Sequence, residues 1–296
     1  MRHVGPTHSS IRLVINADDF GISSGVNAGI IEAAVAGIVT SASAIVNMPA
    51  FADAIDRARS GPALSLGLHL NLTSGRPLTA APSLTRATGE FYSLPQLMAR
   101  ASLRLLDTSD IVRECQAQID RLGEAGFAPT HLDSHRHVHA HPAIFSAVVR
   151  AAGSRGIRQV RVPCEPLGIN GSDWRATLKK GGLLLCTRLT GAGDRERRNR
   201  ISFFGISLQG GEKFASRLFA LIPRLPNGIS ELMVHPGYAD SSLAQIDGYT
   251  VEREKELAVL CSREFRELLD QCGVTLNSFS DREWLLRNDG ELAQHH

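Results

Sequence analysis

Five of the chain's 11 histidines and one aspartate alternate along positions 131–141, as His131, Asp133, His135, His137, His139 and His141. A fully extended segment would turn all six to one face, which a buried surface does not tolerate. The pattern therefore predicts a strand ending near Asp133, a loop carrying His135 to His141 and a helix starting at Pro142. So dense a cluster points to metal binding or acid/base work rather than to a histidine-rich surface loop. Three further positions have suitable chemistry. Asp18 and Asp19 follow the apolar run IRLVINA; such a pair can cap a helix and sit in a turn, or place one carboxylate on a cation and the other beside a water that the cation polarises. His69 lies between Leu68 and Leu70, where it is either a core histidine or a ligand at a strand end. His235 follows ELMV and precedes Pro236 and Gly237, where an imidazole can bond to the turn backbone or donate to a leaving amine. One aspartate and two histidines with waters are enough for an open catalytic metal site.

These residues fall where strands should end, so the elements between them decide whether they meet. Short apolar runs alternate with amphipathic segments: IRLVINA, a helix from Val26 to Val35 broken at Gly37, SASAIVN, LSLGLHL, THLD, RQVRV, ISFFG, ISELMV, a long charged helix from about Val251 to Leu269, and VTLNSF. That order predicts an α/β chain with about seven parallel strands in a closed or nearly closed β/α barrel. In such a barrel the C-terminal strand ends share one rim, so residues distant in sequence converge there. Residues 77–106 and 165–200 are weakly periodic and read as insertions that shape access to the rim. The expected organisation is one catalytic domain over 11–285, a flexible segment at 1–10 and a tail at 286–296.

Composition narrows the function. The 296 residues carry 32 Lys and Arg against 30 Asp and Glu, a net charge of +2 that gives no basic field for nucleic acid. Five cysteines lie far apart with no CxxC pair, as in a reducing compartment. The first ten residues lack an apolar leader core and no window reads as a transmembrane segment, so a cytoplasmic location is expected. Two rival motifs are weaker. Gly21 to Gly25 matches GxSxG, but it follows the first strand and sits beside two carboxylates that would oppose an oxyanion. GAGDRER from Gly191 lacks the third glycine of a dinucleotide fingerprint.

NADDFGIS at 16–23, GIVTSASAIVN at 37–47, GLHLNLTSGRPLT at 67–79, PTHLDSHRHVH at 129–139 and MVHPGYAD at 233–240 together resemble the YdjC-like (ChbG-type) carbohydrate deacetylases. The resemblance implies a distorted, TIM-like β/α barrel that uses a divalent cation to remove acetyl groups from N-acetylated sugars such as chitooligosaccharides. Magnesium is the family's usual ion, with Zn²⁺ or Co²⁺ as alternatives, and a homodimer is implied. Carried onto this chain, it makes Asp19, His69 and His135 the metal ligands, Asp18 the general base and His235 the acid. Arg161 would orient Asp18, unless it is a surface charge. Arg136 departs from the HLDSHHH of some members, and VRVPCEP at 160–166 is similar to the hopanoid-associated HpnK branch, whose substrate carries a lipid. A glycolipid deacetylase is therefore the alternative, with a non-catalytic sugar- or metal-binding protein as the bland one.

Overall fold

Along strand β1 (Ile11–Phe20) the side chains divide between two environments. Leu13, Ile15 and Ala17 join the main apolar core, whereas Val14 joins a small separate cluster with Phe279 and Asn16 bonds to Asp18 and Ser43. Period-two alternation in a strand buried on both faces produces this split. The computed structural model describes residues 11–166, 174–191, 201–210 and 213–281, and it repeats the pattern in each neighbouring strand. These strands are β2 (Ser41–Ala44), β3 (Ser65–Leu70), β4 (His131–Ser134), β5 (Gln159–Val160), β6 (Ile201–Phe204), β7 (Gly228–Val234) and β8 (Val274–Asn277). Ala42, Leu68, Leu132, Val160, Phe204 and Leu232 pack into the main core, while Ser43, His69, Asp133, Arg161 and Glu231 form one polar network on the other side of the sheet.

All pairings are parallel, in the order β5-β4-β3-β2-β1-β7-β6. β8 pairs with Ile11 to Val14 of β1, and β2 takes over from Asn16, so β1 is bonded along both edges. Seven strands make up the main path, as the sequence predicts, and β8 adds an eighth beside β1. It curls into a distorted β/α barrel, open between β5 and β6, which share no ladder among the described residues. Its inner surface narrows to apolar contacts at Val14 and Phe279 and becomes charged towards the strand C-termini.

Helices α1 (Ser24–Val35), α2 (Phe51–Ser60), α3 (Leu94–Ser102), α4 (Thr108–Glu124), α5 (Pro142–Ser154), α6 (Trp174–Thr190), α7 (Phe214–Leu221), α8 (Val251–Leu260) and α9 (Arg263–Gln271) accompany the sheet. Ser23 is the N-cap of α1, its Oγ accepting from Val26 N at 3.3 Å, so the serine of the GxSxG match is buried as a cap. The helix expected from Val251 to Leu269 is two helices. Ser262 leaves helical dihedrals at φ −73°, ψ 148° and caps α9 by accepting from Phe265 N. The segment 77–106 is weakly periodic because side chains hold its backbone: buried Glu114 accepts from the N–H groups of Leu78 and Thr79, and Asp110 from that of Ser83. The segment 165–200 contributes α6; residues 167–173 and 192–200 lie outside the described residues, as do 1–10 and 282–296.

One glycine is set by the polar interior. A Cβ on Gly67 would stand 2.4 to 2.6 Å from the His131 ring, so the bare backbone of β3 makes room for that imidazole, which stacks on Phe279.

Candidate functional site

β1, β3 and β4 deliver Asp19, His69 and His135 to one point on the C-terminal rim. Asp19 Oδ1 lies 2.9 Å from His135 Nδ1 and 3.2 Å from His69 Nε2, and all three residues are buried. Asp19 has φ +71°, and Arg136 and His137, just past His135, have φ +59° and +55°. Left-handed backbone at non-glycine residues costs energy and here turns the strand ends towards a common centre. The loop that bears His135 is fastened by its other histidines. His139 meets Ser134 Oγ through Nδ1 and the Arg161 carbonyl through Nε2, at 2.8 Å, while His141 caps α5 by accepting from Ala143 N.

A carboxylate oxygen and two imidazole nitrogens within reach of one another are a fitting donor set for a divalent cation. The electrostatics agree. Burial alone would lower the pKa of His69, but Asp133, Asp18 and Asp19 push it up to about 10. Surroundings that keep a buried imidazole charged favour positive charge at that point. Asp133 Oδ1 takes Nδ1 of His69 at 2.7 Å, which fixes the ring so that Nε2 faces Asp19.

Asp18 is held differently. Arg161 donates to both its oxygens, Nη1 to Oδ2 at 2.6 Å and Nη2 to Oδ1 at 2.7 Å, and Asn16 Nδ2 adds a third bond at 2.9 Å. Burial would raise this carboxyl, yet the Arg161 charge and hydrogen bonds hold it well below the usual carboxylate range. Arg161 is itself buried and also bonds Asp133 and Glu231, each at 2.7 Å. It is no surface charge. Burial pushes Glu231 up to about 7 despite its bond to Arg161.

His235, just past β7, closes the far side. Its backbone N–H donates to Glu256 at 2.6 Å. Lys179 Nζ donates to Gln209 Oε1 at 2.7 Å, and an ammonium has nothing to accept with, so the Gln209 NH₂ must face His235 Nε2 at 3.3 Å. That makes Nε2 an acceptor and puts the ring proton on Nδ1. Burial, against the pull of Asp18 and Asp19, lowers His235 to about 4, so the ring rests neutral.

These groups line a cavity of about 250 Å³, whose walls include Leu94, Arg136, Lys179 and Tyr249. A second cavity, between His131 and Glu231, has only about 20 Å³ and is too small for anything beyond a water. A third recess, of about 280 Å³ between α2 and α4, holds none of these groups, so the cavity of about 250 Å³ is singled out by its lining and not by its size.

A barrel rim with this aspartate pair, histidine set and loop order coincides with a family match: the model described as "YdjC-like protein" fits residues 12–271. The chain belongs to the YdjC-like family. It is 35% identical over 269 residues to a carbohydrate deacetylase of Geobacillus stearothermophilus, covering 90% of this chain and 96% of that protein. It is 35% identical over 273 residues to a chitooligosaccharide deacetylase of Yersinia pestis, covering 91% and 98%. Among solved structures, a putative cellobiose-phosphate cleavage protein of Enterococcus faecalis superposes with a TM-score of 0.73 at 26% identity, covering 91% of this chain and 98% of that one.

Four residues of this YdjC-like site escape sequence reasoning. Arg253 of α8 reaches 2.6 Å from Asp19 Oδ2, which leaves Oδ1 to the two imidazoles. Nothing local marks it, because an arginine in a charged helix reads as a solvated face. Ser43 touches Asp18, His69 and Asp133 from a strand whose small residues suggest only tight packing. Gln209 leaves no signal. Glu231 does, since a carboxylate inside an apolar strand requires a buried cation.

Proposed function

We propose that this chain is a metal-dependent hydrolase that removes the acetyl group from an N-acetylated sugar, a chitooligosaccharide or a related N-acetylglucosamine derivative. The observation that carries this reading is the convergence of Asp19 Oδ1, His69 Nε2 and His135 Nδ1 beside Asp18 on the floor of a pocket of about 250 Å³. The names of the relatives support the same substrate class.

Asp19, His69 and His135 would hold the cation, Mg²⁺ by family habit, with Zn²⁺ and Co²⁺ equally compatible with two nitrogens and one oxygen. When bound it would polarise the acetyl carbonyl and ease deprotonation of a water. Asp18, ionised and fixed in direction by Arg161, accepts the proton of the attacking water. His235 delivers a proton to the departing nitrogen, since an amide anion does not leave. Being neutral at rest, His235 must first receive the proton that Asp18 took from the water and then pass it to the departing nitrogen, so Asp18 is again ionised and His235 again neutral when acetate and amine part. Glu231 and Asp133 are positioning residues acting through Arg161 and His69.

The separating experiment pairs two isosteric variants. Asp19→Asn is expected to lose bound metal and activity together, whereas Asp18→Asn keeps metal and loses turnover. Retention of full activity by both variants contradicts the assignment.

A further inference from the structure

Three wall atoms of the cavity of about 250 Å³ are buried without a hydrogen-bond partner: Nδ1 of His137, Nδ1 of His235 and Nη1 of Arg253. The first two belong to imidazoles, which can rest neutral. The third belongs to a guanidinium, which stays charged and has only donors to offer. Arg253 is fully buried, and an unpaired donor on a buried cation costs more than one on a neutral ring, so it calls for a partner from outside the chain.

The rest of this guanidinium is committed. Nε donates to the Tyr249 carbonyl at 2.8 Å, and Nη2 donates to Asp19 Oδ2 at 2.6 Å and to Asp247 Oδ2 at 3.2 Å. The two protons of Nη2 leave on opposite edges of the planar fork, one on the Nε edge and one parallel to a proton of Nη1. Nη1 therefore directs a proton to the same side as Asp19 or Asp247, and both carboxylates line the cavity. Its free donor is aimed into the site.

What fits that donor is an oxygen that gains negative charge. Asp19 turns Oδ1 to His69 and His135 and Oδ2 to Arg253, so Nη1 stands beside the place where the acyl group reacts. Asp18 and Asp19 flank that place, and their charge opposes any growing on a substrate oxygen; a fixed cationic donor offsets them. The other cations in the wall are engaged, Lys179 with Gln209 and Arg136 with His135. We propose that Arg253 is a catalytic residue: its Nη1 donates to the acetyl oxygen, weakly in the bound amide and strongly once that oxygen becomes the tetrahedral oxyanion. The guanidinium keeps its protons throughout. This rests on the deacetylase reading and adds to it the side chain that stabilises the oxyanion.

Arg253→Lys tests it, because lysine keeps a positive charge near Asp19 and loses the second prong of the fork. The variant is expected to retain its metal, measured by atomic emission, and a KM within about threefold of wild type, while kcat falls by about 10² to 10³. Affinity for a methylphosphonamidate analogue of the N-acetyl group, tetrahedral and anionic like the oxyanion, is expected to fall by the same factor as kcat/KM. Activity lost only in proportion to lost metal overturns the inference and leaves Arg253 as a positioning residue for Asp19. A raised KM with unchanged kcat also overturns it, since a donor to a sugar hydroxyl binds ground state and transition state alike. A crystal structure of the metal-loaded wild type with the same analogue is independent of how the variant folds: a phosphonyl oxygen within about 3.2 Å of Nη1 is expected, and a bound analogue that leaves Nη1 unpartnered overturns the inference. Failure of the wild type to release acetate with any added metal removes the deacetylase reading and this inference with it, whereas release with an unaltered kcat in Arg253→Lys removes this inference alone.

Discussion

Arg161→Met removes the one cation shared by three buried carboxylates. Arg161 meets Asp18 at 2.6 and 2.7 Å, Asp133 at 2.7 Å and Glu231 at 2.7 Å. The methionine keeps the stem and loses the guanidinium, so the effect is electrostatic rather than a packing void. Breaking a buried ion pair costs about 3–5 kcal/mol, which for a chain of this size lowers the melting temperature by roughly 6–20 °C. The upper half of that range applies here, because three anions lose their partner together and only His69 remains to face them. The loss depends on pH in a definite direction. Asp18 has a depressed pKa in the fold, so its stabilisation is complete above the unfolded carboxylate value of about 3.9 and is lost only as pH falls through the folded value. The variant lacks that contribution. Glu231, already at about 7 with Arg161 beside it, rises further without it and takes up a proton on acidification. Denaturant unfolding of the two chains should therefore show the widest gap near neutrality and a narrowing gap as both are acidified. Adding Glu231→Gln to the variant should recover part of the loss, on the order of 1 kcal/mol, above neutral pH, where Glu231 would otherwise have to ionise without a partner. A variant within about 1 kcal/mol of wild type at neutral pH, or a gap that widens on acidification, refutes the reasoning.

Two further substitutions probe the site and its scaffold. His235→Ala should leave metal content unchanged and lower kcat by about 10² to 10⁴, read from single-turnover acetate release; an unchanged kcat removes His235 from the reaction. Gly67→Ala should cost about 1–3 kcal/mol in denaturant titrations, because its Cβ meets the His131 ring, and His131→Ala on top of it should relieve most of that cost.

The sequence carries the architecture wherever one strand serves two faces. Val14, Asn16 and Asp18 alternate with Leu13, Ile15 and Ala17, and that alternation places Asp18 on the inner side. The position of His69, His135 and His235 after apolar runs is equally plain, because parallel strands end on one rim. What stays hidden comes from tertiary reach. Arg253 bonds Asp19 from 234 positions along the chain, and no local pattern distinguishes it from an exposed helix arginine. His139 and His141 look like ligands by type, yet one ties a loop to the Arg161 carbonyl and the other caps a helix. Ser262 divides the last charged helix by a cap whose strength depends on one backbone N–H, a signal easily outweighed by the periodicity on either side of it.

The central claim is that Asp19, His69 and His135 hold a cation needed for deacetylation. It is tested most directly by acetate release from N,N′-diacetylchitobiose, comparing chelator-treated protein alone with the same protein after adding Mg²⁺, Zn²⁺ or Co²⁺, alongside wild-type and Asp19→Asn chains. Release that requires added metal in the wild type and fails with every metal in Asp19→Asn is the predicted result. Undiminished release by folded, metal-free protein would contradict it.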